Sequence, residues 1–490
     1  MPGGLLQLVA YGSQNFYLNG NPSLSFFKKV FKPYTNFSTE SIKLNFNRTT
    51  INFNEKTTLI AKIDRNGDML QNMYFVFTLP SVKKYKDDDL EFEKFNYVKN
   101  IGEVIIDNCY VNIGGNIIDK QYGEWMHIWN ELSIEASKRY GYDKLIGNIP
   151  ELYSPDDHNY FKENQIQIYE RKVYVPLKFW FNKNPGLALP LISLQYHQVE
   201  LVIELRPFRD LFTINDKKPT INDFNKYFSS SVSNNSLNSL MYLETTYVFL
   251  DTSERTFFAV NSQDYLIEQV VQIQESSIST NAIVNLPLHN PVKELIWVIK
   301  RSDIGTTNKW FEFIDWEINA HYYEHDEHTD DDDNDHAHEH AYAHINHSHI
   351  ETERKGEIMK SACILFNGLE RLERKDNSYF NLIQPYQHHT FIPKEGIYVY
   401  SFSLFPETFQ PSGSCNMSKI NKVQLSIETI NKIRVNVERT RQIRNDDDNT
   451  LINETYNSLE SLYDYDLTLY AVNYNFLRII SGLAGLAYAC

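Results

Sequence analysis

The fold is decided by residues Ser378–Glu428, which read SYFNLIQPYQHHTFIPKEGIYVYSFSLFPETFQPSGSCNMSKINKVQLSIE. Between Gly396 and Pro406 the side chains alternate with a period of two, which is typical of a β-strand. The segment Gln410–Gly413 indicates a loop, and a second alternating run follows from Ile420. The first run therefore predicts one face with Tyr398, Tyr400, Phe402 and Leu404, and another with Ile397, Val399, Ser401, Ser403 and Phe405.

An upstream segment repeats this arrangement. Without a gap, Val173–Glu204 lies over Ile397–Glu428, an offset of 224 residues, with seven identities in 32 positions. The identities alone are weak, because β-strands share residue types, but the order strand, long loop, strand is kept at equal length. We therefore predict an all-β unit that is used twice.

Two hairpins extend the repeat. Gly114-Gly115 and Asn367-Gly368 each separate two apolar runs, as two-residue hairpin turns do, and they are 253 residues apart. The larger offset predicts an insertion in the first half, from Trp129 to about Arg171. Its composition favours helix, with Gly141 as the expected stop. The composition of residues 211–239 predicts a second long loop.

These patterns predict four segments of the chain. An N-terminal arm (1–24) is followed by a first β unit (25–250), a polar and turn-like linker (251–262) and a second β unit (263–490). Each unit offers about eight short strands separated by turns, and neither βαβ alternation nor heptads compete with this all-β interpretation. An antiparallel sandwich accounts for the pattern, although strand count alone does not give topology.

Composition restricts the classes of function. The net charge of −16 disfavours a general nucleic-acid binder, so no direct nucleic-acid partner is expected. Four scattered cysteines predict free thiols in a reducing compartment: Cys109, Cys363, Cys415 and Cys490. The N-terminus has neither a basic region nor a long apolar run, so no secretory signal is expected. No stretch reaches the roughly 18 apolar residues of a membrane-spanning helix.

The segment His321–Glu351 has the most unusual composition. It contains nine of the 15 histidines and ten acidic residues, with no Lys or Arg. We interpret it as a solvated loop inserted in the second unit and kept open by repulsion between its charges. Two alternatives stay open, metal binding and a response to pH between about 7 and 5. The spacings that favour a metal are found at His336, His338, His340 and His344.

His388-His389 invites comparison with metal-binding cupins, which are also β-sandwiches. Thr390–Pro393 follows the pair, and no histidine comes after it, so a hydrogen-bonded structural pair is the better interpretation. The chain has no GxSxG, Walker A or HExxH motif. We therefore predict no catalytic residue, no cofactor-binding residue and no metal ligand, and no enzyme activity.

Several blocks resemble the major capsid proteins of nucleocytoplasmic large DNA viruses. They occur in order along nearly the whole chain. They are GGLLQLVAYGSQNFYLNGNPSLSFFKKVFKPYTNF, IGGNIIDKQYGEWMHIWNEL, YVFLDTSERTFF with YLIEQ, SYFNLIQPYQHHT with GIYVYSFSLFPETFQPSGSCNMSKI, and YAVNYNFLRIISGLAGLAY. The resemblance implies two tandem eight-stranded antiparallel jelly rolls with long loop insertions and minor helices.

The resemblance also implies a function and partners. The expected protein is a homotrimeric capsomer of pseudo-hexagonal outline that tiles an icosahedral shell. Its partners would be neighbouring capsomers, minor capsid and penton proteins, and the inner membrane on the side of the N-terminal arm. The expected location is the virion, after synthesis and assembly in the host cytoplasm. Within the chain, the apolar blocks Leu5–Phe16 and Asn473–Tyr488 are the candidate contact surfaces.

Rival functions remain open at this point. One is a carbohydrate-binding β-sandwich or another virion surface protein with exposed aromatic side chains. A second is a metal-dependent jelly-roll enzyme that uses the histidine-rich segment. A minor capsid or penton protein is a closer alternative, but the duplicated unit argues against it.

Overall fold

A computed structural model of the chain describes residues 2–85, 93–155, 166–228, 232–233, 235–315, 356–432, 434–444, 451–461 and 463–488. The His321–Glu351 segment lies outside the described residues. In the first half the strands are β1 (Phe37–Asn45), β2 (Thr50–Asn52), β3 (Thr57–Ile63), β4 (Met69–Leu79), β5 (Val82–Lys83), β6 (Phe95–Tyr97), β7 (Ile106–Ile113), β8 (Asn116–Tyr122), β9 (Ile166–Ile168), β10 (Arg171–Pro176), β11 (Leu189–Pro190), β12 (Val199–Leu205), β13 (Phe212–Ile214), β14 (Val232–Ser233), β15 (Ser236–Asn238) and β16 (Met241–Leu250).

The second half has the same character. Its strands are β17 (Gln263–Glu275), β18 (Asn281–Asn285), β19 (Pro291–Arg301), β20 (Ile314–Asp315), β21 (Gly356–Glu357), β22 (Met359–Phe366), β23 (Leu369–Asp376), β24 (Ile397–Ser401), β25 (Cys415–Asn416), β26 (Val423–Thr429), β27 (Arg434–Arg444), β28 (Leu451–Ser461), β29 (Tyr465–Ile480) and β30 (Leu483–Leu486). The α-helices are α1 (Gly3–Val9), α2 (Asn15–Asn19), α3 (Ile101–Val104), α4 (Gly123–Ser133), α5 (Ala136–Ile146), α6 (Pro150–Tyr153), α7 (Trp180–Lys183), α8 (Ile221–Phe228), α9 (Thr252–Val260), α10 (Ile304–Thr307) and α11 (Gln384–His388).

Two sheets face each other in each half, and their strand orders correspond. The first half has β1-β16-β4-β10 and β3-β12-β7-β8, and the second has β17-β29-β19-β24 and β18-β26-β22-β23. Corresponding strands come in the same chain order, and their pairings are antiparallel. This is the order of a jelly roll. The structure is thus two tandem jelly rolls, here called unit 1 and unit 2.

Each unit encloses its own apolar core between its two sheets. Phe75, Phe77 and Leu201 belong to the core of unit 1, while Trp297 and Leu425 belong to that of unit 2. These positions fall on alternate residues of their strands because successive side chains point to opposite faces of a sheet. The alternation in the sequence therefore follows from burial of one face.

The repeat holds closely, but not without a gap. β12 and β26 begin 224 residues apart, at Val199 and Val423, and both of these residues point into a core. In the preceding strands the gapless alignment is wrong by one position. Val173 points into the core of unit 1, whereas the aligned Ile397 packs against the other unit. Because a shift of one residue exchanges the two faces of a strand, the loops after β10 and β24 must absorb one residue.

The two hairpin predictions are confirmed. Gly114-Gly115 joins β7 to β8, and Asn367-Gly368 joins β22 to β23. All four residues have positive φ, between 53° and 88°. Two-residue turns of this kind match the twist of the strands that they connect, and Gly and Asn adopt them at the lowest cost.

The helical insertion is confirmed, but its predicted stop is wrong. α5 passes through Gly141 and ends before Gly147, whose φ is +78°. An interior glycine costs a helix only about 1 kcal/mol relative to alanine, whereas the left-handed conformation after the last turn favours glycine.

The linker (251–262) is predicted to be turn-like, but the helix α9 occupies most of it. Asp251 precedes the first turn of α9 and Glu254 lies within that turn. Negative charges at these positions interact favourably with the dipole at the amino end of a helix.

The predicted strand Ile397–Phe405 ends early, since β24 stops at Ser401. Serine hydroxyl groups turn the chain outward at this point. Ser401 Oγ donates to the carbonyl of Ser403 (2.7 Å), and the amide of Phe405 donates to Ser412 Oγ (2.9 Å). Such bonds compete with a sheet ladder. Leu404 and Phe405 are therefore exposed instead of lying on the two faces of a strand.

Candidate assembly interfaces

The contact between the two units is built around α4. This helix follows β8 directly, and Gly123 permits the tight start: a Cβ there would lie 2.1 Å from the carbonyl oxygen of Ile106. Trp125 and Trp129 project from α4 onto the outer face of the sheet β17-β29-β19-β24. The ring centroids of Trp125 and Tyr470 are 5.4 Å apart. These side chains form a separate buried cluster between the units, with Ile128, Leu132, Ile296, Val298, Phe313, Ile397, Val399 and Val472.

A buried carboxylate flanks this cluster. Glu124 forms an ion pair with Lys300 of unit 2, and the hydroxyl group of Tyr470 donates to Glu124 Oε1 over 3.1 Å. Glu124 itself is 6% exposed. Because its partners come from β19 and β29, the charge fixes the position of α4 on that sheet and adds specificity to the apolar contact.

A second charged group bridges the units beside Trp129. Glu268 on β17 accepts from Lys183 of unit 1 (2.7 Å) and also pairs with the buried Lys293 on β19. Burial alone would raise the pKa of Glu268, but the two ammonium groups outweigh it and lower the pKa to about 2. Lys293 additionally donates to the carbonyl of Pro406 (2.6 Å), so the same cation holds the loop after β24.

His389 lies between two carboxylates in unit 2. Its Nε2 is 3.1 Å from Glu294 Oε2, its Nδ1 is 2.9 Å from Glu407 Oε1, and its side chain is fully buried. Burial favours the neutral imidazole, but the two carboxylates outweigh it and raise the pKa of His389 to about 9. The imidazolium therefore links β19 to the loop that carries Glu407.

The His389 ion pairs predict a stability change in alkali. Since the unfolded pKa is near 6.5 and the folded pKa near 9, the stabilisation is complete below pH 6.5 and is lost as the pH rises through 9. The stability advantage of wild type over His389→Gln should be about 3 kcal/mol larger at pH 6 than at pH 9.5. Urea unfolding at both pH values measures this difference, and an equal advantage at both would contradict the charged state of His389.

The C-terminal hairpin of unit 2 reaches back to unit 1. Two hydrogen bonds connect the turn of this hairpin to unit 1. The amide of Tyr196 donates to the carbonyl of Gly482 (3.1 Å), and the amide of Ala484 donates to His197 Nδ1 (3.1 Å). Leu477 and Ile479 on β29 are buried in the core of unit 1. The hairpin therefore fastens the second unit to the first.

The helical insertion is held rigid by its own buried carboxylate. Glu103 accepts from Asn130 (2.7 Å) and Tyr142 (2.7 Å), and it pairs with His127 (2.9 Å). Burial would raise the pKa of Glu103, but these partners lower it below its ordinary value. The network connects α3 and α5 to α4 and thereby holds α4, with its two tryptophans, in one position.

The candidate residues from the sequence are placed as follows. His389 has the structural ion pairs described above, and His388 Nδ1 donates to the carbonyl of Leu404 (3.1 Å). His336, His338, His340 and His344 lie outside the described residues. Within the described ranges, no three His, Cys, Asp or Glu side chains are grouped as metal ligands. The predictions for metal and catalytic residues stay predictions. No helix in the described part of the chain is long and apolar enough to span a membrane.

The two predicted contact surfaces differ. No side chain of α1 or α2 in the arm is buried, and Phe27, just after the arm, is fully exposed. The apolar side chains of the arm are therefore available to a partner. The block Asn473–Tyr488 is divided: Tyr474, Leu477, Ile479 and Ala484 are buried, whereas Phe476, Ile480, Leu483 and Tyr488 are exposed. Packing inside the chain explains its buried apolar side chains, while its exposed ones leave the predicted contact surface a prediction.

Comparisons with known proteins decide the family. A family model described as the major capsid protein N-terminus matches residues 25–251, and one described as the large eukaryotic DNA virus major capsid protein matches residues 254–485. The major capsid protein of Phaeocystis pouchetii virus is 33% identical over 555 residues, with all of both chains covered. The chain belongs to the major capsid protein family of large eukaryotic DNA viruses. The family member from Paramecium bursaria Chlorella virus 1 is 32% identical over 512 residues, again across both whole chains.

Solved capsid structures agree with this family. A quasi-atomic model of the PBCV-1 virus capsid matches with a TM-score of 0.66 and 28% identity, covering 95% of this chain and all of the other. The Faustovirus major capsid protein has the same fold at 12% identity, with a TM-score of 0.66 and coverage of 96% and 94%. The protein is therefore a structural component of a virus capsid and not an enzyme. It assembles with other capsomers in the virion.

Proposed function

We propose that three copies of this chain form a capsomer of pseudo-hexagonal outline that tiles an icosahedral shell. The observation that carries this proposal is the repeated strand order of the two units together with their side-by-side packing. With two similar units per chain, a ring of three chains contains six similar units. Such a ring has a roughly hexagonal outline, and hexagons tile a surface. Closed cyclic symmetry is the usual arrangement of homo-oligomers.

The contacts inside the chain suit a shell subunit, which must be rigid. The aromatic cluster around α4, the ion pairs of Glu124 and Glu268, and the C-terminal hairpin all join unit 1 to unit 2. Two jelly rolls joined in this way behave as one rigid body.

We assign the remaining partners by the same reasoning. The exposed arm would contact neighbouring capsomers, minor capsid and penton proteins, and the inner membrane on its side of the shell. With a net charge of −16, no direct nucleic-acid contact is proposed. Synthesis and assembly are proposed to take place in the host cytoplasm. The division into an arm (1–24), unit 1 (25–250), a linker (251–262) and unit 2 (263–490) is part of this proposal.

The mass of the purified protein tests the trimer. Light scattering after size-exclusion chromatography should give three times the chain mass of 57.5 kDa, with no monomer at micromolar concentration. Obligate interfaces between such walls are large, so dilution should not release monomers quickly. A stable monomer across salt concentrations and pH values would overturn the proposal.

A further inference from the structure

A cleft lies between the two units beside α4, and residues from both units line it. Its volume is about 660 Å³, which is within the range of sites that bind small molecules. Unit 1 contributes the paired strands β6 and β13, and unit 2 contributes residues 307–314 and 393–395. Because the cleft is formed within one chain, binding there does not require a contact between copies.

The floor of the cleft carries an asparagine from unit 1. Asn96 on β6 is paired with Thr213 on β13, and both line the cleft. Their strand neighbours Phe95 and Phe212 point into the core of unit 1, so Asn96 and Thr213 point to the opposite side. Asn96 is 8% exposed, and its Oδ1 has no hydrogen-bond donor among the described residues. Since buried carboxamide oxygens are nearly always paired, we expect this one to accept from a molecule in the cleft.

A second asparagine comes from unit 2. Asn308 follows α10 with a φ of +54°, and its Nδ2 donates to the carbonyls of Arg209 and Phe212 in unit 1, both at 2.9 Å. A rotated carboxamide would place its oxygen against these two carbonyl oxygens, so the orientation of the side chain is fixed. Asn308 lines the cleft and is 3% exposed, and within the described ranges its Oδ1 also lacks a donor. The cleft thus has two fixed acceptors, one from each unit.

A third asparagine is held in the same way. Asn381 lies in the π-helix Tyr379–Ile383, and its Nδ2 donates to the carbonyls of Lys394 (3.2 Å) and Ile397 (3.0 Å). Its carboxamide oxygen therefore also serves as an acceptor at the cleft. Three asparagine oxygens in fixed orientations favour a ligand with several O–H or N–H donors.

The charged groups at the rim of the cleft disfavour an ionic ligand. Three lysines and three carboxylates line the cleft, and their formal charges cancel. They are Lys99, Lys309, Lys394, Asp216, Glu312 and Glu395. All of them except Glu312 are exposed, whereas the three asparagines are buried. A neutral ligand rich in hydroxyl groups fits both layers, because a hydroxyl group donates to an asparagine oxygen and accepts from a lysine ammonium.

Aromatic rings provide the apolar part of the wall. Phe311 lines the cleft, and its ring stacks on that of His127 with the centroids 4.4 Å apart and an angle of 7°. The neighbouring Trp310 packs against the guanidinium of Arg206, and its Nε1 donates to the carbonyl of Asp210 (2.9 Å). Rings that are already fixed lose little entropy when a ligand packs on them. A sugar ring combines apolar C–H groups with hydroxyl groups at its edge, so it matches this combination of aromatic and amide side chains.

We propose that the cleft between unit 1 and unit 2 binds a neutral carbohydrate. Asn96, Asn308 and Asn381 accept hydrogen bonds from its hydroxyl groups, and the aromatic wall packs against its ring. This binding function goes beyond the proposed role in a shell and is independent of it, because the site is complete in one chain. N-glycans without sialic acid and cell-wall polysaccharides share the required chemistry.

An oligosaccharide array tests the site with the purified full-length chain. Separate fields carry N-glycans without sialic acid, neutral cell-wall glucans and mannans, and sialylated or sulfated glycans. We expect binding to neutral fields that exceeds binding to charged ones, and the neutral field that is bound identifies the source. Absence of binding to every neutral field, or a preference for charged fields, would overturn the inference.

Two substitutions connect binding to the cleft. Asn96→Leu removes an oxygen that lacks a donor in the described part of the chain, so the variant should stay folded. Its affinity for the bound oligosaccharide should fall about tenfold or more. Leu382→Trp, at a lining position that is 47% exposed, should weaken binding by filling part of the cleft.

Asn473→Leu is the matched control for Asn96→Leu. Asn473 on β29 is 3% exposed, and its Oδ1 likewise has no donor among the described residues, but it lies outside the cleft. The control should bind like wild type, and thermal unfolding shows whether each variant is folded. Affinity equal to that of wild type in folded Asn96→Leu and Leu382→Trp would show that the carbohydrate binds elsewhere and would refute the assignment.

Discussion

Replacing Trp125 by alanine is expected to lower the free energy of unfolding by about 3–5 kcal/mol. Trp125 is 1% exposed, and its ring lies between Trp129 and Tyr470, with centroids 5.5 and 5.4 Å away. The cavity would open between the two units and not inside either core. We therefore expect wild type to unfold in one calorimetric transition and the variant in two, because the units of the variant would no longer unfold together.

The matched control for Trp125→Ala is Trp297→Ala. Trp297 is fully buried too, but it lies in the core of unit 2. Its replacement should lose a similar amount of stability while the contact between the units remains. If Trp125→Ala melts like wild type, or if both variants give the same calorimetric profile, α4 does not couple the units as described.

Replacing Lys293 by methionine should cost about 3–5 kcal/mol, because it removes one partner from a buried ion pair. Lys293 is fully buried and contacts both the Glu268 carboxylate and the carbonyl of Pro406. The variant would leave Glu268 with Lys183 alone and would release the loop after β24. Urea unfolding at neutral pH measures the loss.

Lys183→Met is the control for Lys293→Met, since both lysines pair with the same carboxylate. The Lys183 side chain is 29% exposed, so water can replace part of its contact. Its loss should cost only about 1 kcal/mol or less. Equal losses in the two variants would show that burial of Lys293 does not set the strength of this network.

Much of the fold follows from local sequence patterns. The turn residues Gly114-Gly115 and Asn367-Gly368 predict two hairpins correctly, because positive φ restricts the residues that can occupy such turns. The alternation around Tyr398 and Leu425 predicts two strands correctly, although both faces of these strands are largely buried. The duplicated spacing predicts two similar units, and this holds in the matching strand orders.

The errors arise where contacts distant in sequence decide the outcome. Ile397 and Val399 are predicted only to share one face of a strand, and the fold buries that face against α4 of the other unit. Leu404 and Phe405 continue an alternating pattern, but serine hydroxyl groups end the strand before them. The C-terminal block is predicted as a contact surface, and the part of it that contains Leu477 and Ile479 instead fills the core of unit 1. Neither periodicity nor composition contains this information.

The contact between the two units was the hardest feature to locate from the sequence. Lys183, Glu268 and Lys293 are ordinary charged residues in the sequence, and only the fold brings them together from α7, β17 and β19. The hydrogen bonding predicted for His389 is present, but its two carboxylate partners, Glu294 and Glu407, could not be identified from the sequence. One signal was available: an aromatic block follows each hairpin, Trp125–Trp129 and Tyr379–Phe380, and the first of these blocks contacts unit 2.

Electron cryo-microscopy of the purified assembly tests the central claim most directly. Averaged images viewed down the symmetry axis should show three copies arranged as six lobes of similar size, with a hexagonal outline. Particles with three lobes, or with an open or filamentous arrangement, would contradict the account.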